Sequence, residues 1–183
     1  MKYLIPLLVF IFSTGVVMTQ TKVIAHRGFS SEAPENTLTA FQKAIDIGAD
    51  YFELDVHKTK DNRIVVIHDN TVDKTTSNNS SGEIENLTLL EISEFRVGYS
   101  KKFGEKFEDE KIPTLEEALS LAKDKIKVCI EIKVENAENE VLNIIEKLEM
   151  HDQVIIFSFY YNVLKKIRGV NSTIPILYVR GNA

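Results

Sequence analysis

The chain of 183 residues has a single cysteine, Cys129, so no intramolecular disulfide is available to it. That cysteine lies in the apolar run Val128-Cys129-Ile130 and reads as a small buried hydrophobe, not a reactive thiol. An excess of positive charge is also lacking. Twenty-two Lys and Arg stand against 27 Asp and Glu, a net charge of −5, without the basic patch a nucleic-acid binder normally carries. A membrane-spanning run is lacking too. The apolar stretch from Tyr3 to Met18 is broken by Pro6, Ser13, Thr14 and Gly15 and is shorter than the ~20 residues that span a bilayer. With the basic start Met1-Lys2 it reads as a signal peptide over residues 1–20 in preference to a retained anchor. The mature chain is then expected to begin near Gln20 or Thr21 and to work in the periplasm or outside the cell, with no stable membrane span. No cysteine stands directly after the apolar run to accept a lipid.

What is present is ordinary for a folded domain: 44% hydrophobic residues and 27% charged ones, at a length sufficient for one core. Strand-like and helix-like segments alternate. Residues 22–25 form a short strand. Leu38, Phe41 and Ile45 follow at helical spacing, with Gly48 as a stop. Residues 51–59 and 63–68 read as two more strands, separated by the turn signal Asp61-Asn62.

Residues 69–113 are less regular, with a Ser/Thr/Asn-rich loop at 75–82 and a capping box at Thr88 and Glu91. An irregular segment of that length inside a domain is usually functional. A second capping box, Thr114 with Glu117, opens a helix to about Lys123. Strands are expected at 126–133, 154–159 and 174–179, with helices between them marked by Val141, Ile144, Ile145 and Leu148, then by Val163, Leu164 and Ile167. This alternation argues for a mostly parallel α/β sheet covered by helices, either open and doubly wound or closed as a barrel. Both place ligands at the carboxyl ends of the strands.

Several strands carry ionisable residues where parallel strands are usually apolar. His26-Arg27 follows Val23-Ile24-Ala25. Glu53 and Asp55 sit within residues 51–56. His68-Asp69 follows residues 64–67. Glu131 and Lys133 end the strand at 126–133. Residues two apart on a strand share a face, so Glu53 and Asp55 converge, as do Glu131 and Lys133. Taken singly, each group has a plain structural explanation: an edge-strand face, a hydrogen-bonded histidine, a local salt bridge or a solvated arginine. Together they place acidic groups where burial without a partner would be very costly. Glu53, Asp55 and Glu131 would suit one divalent cation, Mg²⁺ or Ca²⁺, by their oxygen ligands. Arg27 and Lys133 remain to hold an anion. Histidine is the side chain suited to proton exchange near neutral pH, so His26 and His68 are candidates for proton transfer.

His26-Arg27-Gly28, Pro34-Glu35-Asn36-Thr37, Glu53-Leu54-Asp55-Val56 and His68-Asp69, in this order and spacing, resemble the glycerophosphodiester phosphodiesterases. Ile112-Pro113-Thr114-Leu115-Glu116-Glu117 and Glu131-Ile132-Lys133 extend the resemblance, which runs from about Lys22 to the end of the chain. It implies a TIM-type (β/α)8 barrel with a small insertion after the third strand, at 69–113. It also implies a cation on Glu53, Asp55 and Glu131, His26 and His68 as an acid–base pair, and Arg27 and Lys133 near the phosphate. Asn36 and Glu35 would support the loop carrying His26, or cap the first helix. The implied reaction releases glycerol 3-phosphate and an alcohol from a small-molecule glycerophosphodiester, through attack of the glycerol 2-hydroxyl and a cyclic phosphate. Such a barrel needs eight strands and typically about 250 residues. About six strand–helix units are visible, so the barrel is expected to be incomplete within residues 21–183. Alternatives are the same chemistry on lysophospholipids or another phosphodiester, or an inactive short form that only binds a phosphate ligand. The sequence carries no signal for oligomeric state.

Overall fold

The computed structural model describes residues 21–72, 76 and 81–180. The expected leader and most of the Ser/Thr/Asn-rich loop lie outside these residues. Six strands form one sheet: β1 (Ile24–Ala25), β2 (Tyr51–Lys58), β3 (Ile64–Val66), β4 (Lys127–Ile132), β5 (Val154–Ser158) and β6 (Ile176–Tyr178). Five of them are parallel, in the order β1-β2-β4-β5-β6. Each new parallel strand is added beside the previous one and the order never reverses. A doubly wound sheet reverses at its switch point, so this order is the one a barrel requires.

The third strand differs from a barrel unit. β3 pairs antiparallel with the carboxyl end of β2, Val56 facing Val66 and Lys58 facing Ile64. The connection 59–63 is far shorter than the dozen or so residues a parallel crossover needs. It closes instead as a hairpin, with Asn62 left-handed at φ 59° and Thr59 N–H donating to the Arg63 carbonyl at 2.9 Å. The described sheet therefore contains five parallel strands and a hairpin arm, not six parallel units.

The helices are α1 (Leu38–Asp46), α2 (Leu89–Ser93), α3 (Ser100–Phe103), α4 (Leu115–Ala122), α5 (Glu138–Lys147) and α6 (Tyr161–Val170). α1, α4, α5 and α6 pack successively on each other over one face of the sheet. That face supplies Phe52, Leu54 and Val56 from β2, Val128, Ile130 and Ile132 from β4, and Val154 and Ile156 from β5. They meet Phe41, Leu119, Ile145 and Ile167 from the helices, and Phe41 stacks on Phe52 with ring centres 4.4 Å apart.

Both expected capping boxes close. Glu91 N–H donates to Thr88 Oγ1 at 3.3 Å and Glu117 N–H to Thr114 Oγ1 at 3.2 Å, while each glutamate returns a carboxylate to its threonine N–H. A cap of this kind contributes about 1 kcal/mol. α1 is capped by Thr37, which accepts from Ala40 N–H at 3.2 Å.

The insertion has more order than its sequence suggests. Val65 and Ile67, on the far side of β3, pack with Val72, Ile84, Ile92, Val97 and Ile112 in a second, smaller apolar cluster. The segment leaves after His68 and returns to its point of departure, where Val66 N–H donates to the Pro113 carbonyl at 2.8 Å. No helix among the described residues is long and apolar enough to cross a membrane.

Candidate active site

The sheet face turned away from the helices carries the ionisable residues. On β2 the odd positions Glu53, Asp55 and His57 alternate with the apolar even ones, and all three are buried. β4 contributes Cys129 and Glu131 at the same level, because Glu53 pairs with Cys129 and Asp55 with Glu131 across the parallel ladder. One ligand oxygen each from Glu53, Asp55 and Glu131 lies within 4.8 Å of the others. Glu131, 76 positions from Asp55 in sequence, thus joins Glu53 and Asp55 in one acidic cluster.

Burial, and then the neighbouring Asp55, push the Glu53 carboxyl up to about 8. Its Oε1 is buried without a hydrogen-bond partner. Three converging carboxylates, with an orphaned buried oxygen among them, fit a hard divalent cation that prefers oxygen ligands. Burial, and then Glu53, also push the Cys129 thiol up to about 12, so it is an inert packing group.

The loop after β1 delivers Arg27 to this cluster. Arg27 N–H donates to Glu53 Oε2 at 2.8 Å, its Nη1 donates to Glu35 Oε1 at 3.0 Å, and its Nε stands 3.5 Å from Asp55 Oδ2. Arg27 takes the left-handed conformation at φ 56°. Gly28 follows at φ 77°, and a Cβ there would meet the Ala40 backbone at 2.7 Å, so only glycine lets the loop lie on α1. The His26 ring is 69% exposed, its Nε2 3.9 Å from Glu53 Oε2. Lys133 Nζ stands 3.0 Å from Glu131 Oε1 and 3.5 Å from Asp55 Oδ1, with the Phe159 ring centre 5.9 Å away.

Asn36 holds Asp55 from two sides. Its Nδ2 donates to Asp55 Oδ2 at 2.9 Å and its Oδ1 accepts from Asp55 N–H at 3.2 Å. The sequence pointed to the His26 loop or a helix cap for Asn36. The structure gives the cap to Thr37 and directs Asn36 at Asp55, while Glu35 does support the His26-Arg27 loop through Arg27.

His68 reaches the site from the hairpin arm. Its Nδ1–H donates to Asp69 Oδ1 at 2.6 Å, because an ionised carboxylate only accepts. Its carbonyl accepts from His57 Nε2 at 3.1 Å. Burial holds His57 below the usual histidine range. Sequence reasoning had not singled out His57 or the Asp69 contact. The signal for His57 was available, because it continues the Glu53-x-Asp55 alternation by one step. The structure thus brings Glu53, Asp55, Glu131, Arg27, Lys133 and His26 into direct neighbourhood, and ties His68 to them through His57 on β2. A cleft of about 620 Å³ lies elsewhere, between the insertion and α1 and α4, and none of these residues lines it.

The chain is similar to proteins of known sequence and structure over most of its length. It is 45% identical over 170 residues to a glycerophosphodiester phosphodiesterase of Caldanaerobacter subterraneus subsp. tengcongensis, covering 88% of this chain and 68% of that one. A glycerophosphodiester phosphodiesterase of Bacillus altitudinis is 38% identical, with 79% and 60% covered. Among solved structures, a glycerophosphodiester phosphodiesterase from Agrobacterium tumefaciens superposes with a TM-score of 0.78 at 30% identity, covering 86% of this chain and 66% of that one. An Oleispira antarctica phosphodiesterase, solved with the product sn-glycerol-3-phosphate, gives 0.75 at 30% identity, with 86% and 65% covered. The chain spans about two thirds of the length of these relatives. The Glycerophosphoryl diester phosphodiesterase family model matches residues 26–180, from the first site histidine to the last described residue, and the chain belongs to that family.

Proposed function

We propose that the protein hydrolyses glycerophosphodiesters to glycerol 3-phosphate and an alcohol, using one divalent cation, Mg²⁺ or Ca²⁺, and His26 and His68 for proton transfer. The observation that carries this reading is the meeting of Glu53, Asp55 and Glu131 within 4.8 Å, with Arg27 and Lys133 beside them. The product bound in the Oleispira antarctica relative supports the substrate class.

On this reading Glu53, Asp55 and Glu131 would hold the cation, which would supply positive charge to a phosphoryl oxygen. Arg27 and Lys133 stabilise the remaining charge on the phosphate, Arg27 by its planar fork and Lys133 as a point charge. Asp69 keeps the hydrogen on His68 Nδ1, so that Nε2 is the basic nitrogen. His68 takes the proton of the glycerol 2-hydroxyl as its oxygen bonds to phosphorus. His26, exposed and beside Glu53, returns a proton to the alcohol oxygen as the bond from phosphorus to that oxygen breaks. Water then opens the resulting cyclic phosphate with the two roles exchanged, forming one P–O bond and breaking the bond to the 2-oxygen.

The test is release of glycerol 3-phosphate from glycerophosphocholine by the wild-type protein with Mg²⁺ or Ca²⁺. Folded, cation-loaded protein that releases none overturns the reading. Faster turnover of a lysophospholipid in the same assay overturns the substrate and leaves the chemistry. The reading also places the protein outside the cytoplasm, supported by Met1-Lys2 and the apolar stretch to Met18. Amino-terminal sequencing of mature protein, expected to start near Gln20 or Thr21, checks it, and a start at Met1 contradicts it.

A further inference from the structure

We infer that His57 is a positioning residue for His68, fixing the peptide that joins His68 to Asp69. The inference rests on the acid–base role proposed for His68. β2 and β3 pair as far as Val56 and Val66, and Ile67 N–H donates to the Asp55 carbonyl at 3.0 Å. Beyond that bond the chain turns away toward the insertion, and the His68 carbonyl lies past the ladder. His57 takes it up, through Nε2 at 3.1 Å. A carbonyl oxygen only accepts, so Nε2 carries the hydrogen whatever the state of the rest of the ring.

The choice of carbonyl matters. The His68 carbonyl belongs to the peptide unit between His68 and Asp69, and its direction sets where the Asp69 side chain begins. Asp69 in turn holds His68 Nδ1 at 2.6 Å. A rotation of that peptide would carry the Asp69 carboxylate away from the imidazole and release the ring. His57 is suited to prevent this, being buried on β2, which is paired with both β3 and β4, two residues beyond Asp55. The same strand thereby positions the acidic cluster directly and the His68 ring through one hydrogen bond. Two groups that must meet on one phosphate are referenced to one backbone.

The test compares side chains that do and do not reach the carbonyl. His57→Leu removes the donor, His57→Asn keeps an amide that stops short, and His57→Gln places an amide nitrogen close to where Nε2 stands. A displacement of about 1 Å at a reacting group costs on the order of 10²-fold, so His57→Leu and His57→Asn are expected to lower kcat by about 10- to 100-fold. KM and the rise in Tm on adding Mg²⁺ should stay close to wild type, and His57→Gln should recover most of the loss. In a His68→Ala background, His57→Leu should have no further effect, because its action passes through that ring.

Wild-type kcat in both His57→Leu and His57→Asn, loss of the Mg²⁺ response together with kcat, or His57→Gln as slow as His57→Asn would each overturn the inference. If His57→Leu does not fold, the Asn and Gln pair decides. If the wild-type protein shows no diesterase activity, it is the proposed reaction that fails. The backbone amide signal of Asp69 and the His68 imidazole signals then decide the inference: they should shift in His57→Asn and return in His57→Gln, and unchanged signals in His57→Asn refute it.

Discussion

The two faces of β2 differ as sharply as any two regions of the molecule. Phe52, Leu54 and Val56 lie in the apolar core beneath the helices, and Glu53, Asp55 and His57, one residue away in each case, are nearly as inaccessible to water but surrounded by charge. Burial is therefore common to both faces and does not distinguish them. The difference lies in what each face stabilises. The apolar face holds the helices on the sheet by removing surface from water, at about 25 cal/mol per Å². The charged face works against folding until its charges are compensated, in part by Arg27, Lys133 and Asn36. On the proposed reading, it is the place where the domain gives up stability for its site.

The comparison is sharpest in paired substitutions. On the charged side, His68→Ala is expected to lower kcat by about 10²- to 10⁴-fold, the range for loss of a general acid or base, with Tm and its response to Mg²⁺ unchanged. Steady-state kinetics beside thermal melts checks it, and retained turnover removes His68 from the proton-transfer role. On the apolar side, Leu54→Ala should cost about 2–5 kcal/mol in urea unfolding while the remaining folded protein keeps its specific activity. Activity lost in proportion beyond the unfolded fraction would show that the two faces are not separable.

A smaller effect is expected from Asn36→Ala, which leaves Asp55 in place but removes both bonds that orient it. Cation affinity should weaken by about 10- to 100-fold, the usual cost of an outer-shell partner. Titration calorimetry reads this, and unchanged affinity would mean that Arg27 and Lys133 alone orient Asp55. The smallest effect concerns pH. Burial holds the Glu53 carboxyl at about 8, above its ordinary 4.5, so the folded state retains a proton that the unfolded chain has lost between those values. Stability of the cation-free protein should therefore fall as pH rises from about 5 to 8. Mg²⁺ should flatten that slope, and so should Glu53→Gln. A slope that is the same in all three samples assigns the pH dependence to other groups.

Most of the strand and helix pattern was legible because it rests on local rules. Thr88 with Glu91 and Thr114 with Glu117 announce their helices by spacing alone, and both boxes form. Gly48 stops α1 with a left-handed turn at φ 71°, a conformation only glycine adopts cheaply. The direction of β3 was less legible. Apolar runs look alike in parallel and antiparallel strands, and only the length of the connection 59–63 separates them. The insertion looks irregular in sequence because its apolar residues, from Val72 to Ile112, meet across sequence and not along one helix or strand.

The alternation of elements and the inventory of ionisable residues at strand ends are written in the chain locally. Both follow from period, capping chemistry and residue type, which are local. Which of those residues meet depends on how the elements pack. Parallel pairing of β2 with β4 set Asp55 against Glu131, and the hairpin brought the His68 carbonyl to His57. Ladder register and chain direction are settled by long-range packing. No local pattern encodes them, because the groups they join stand 11 to 76 residues apart.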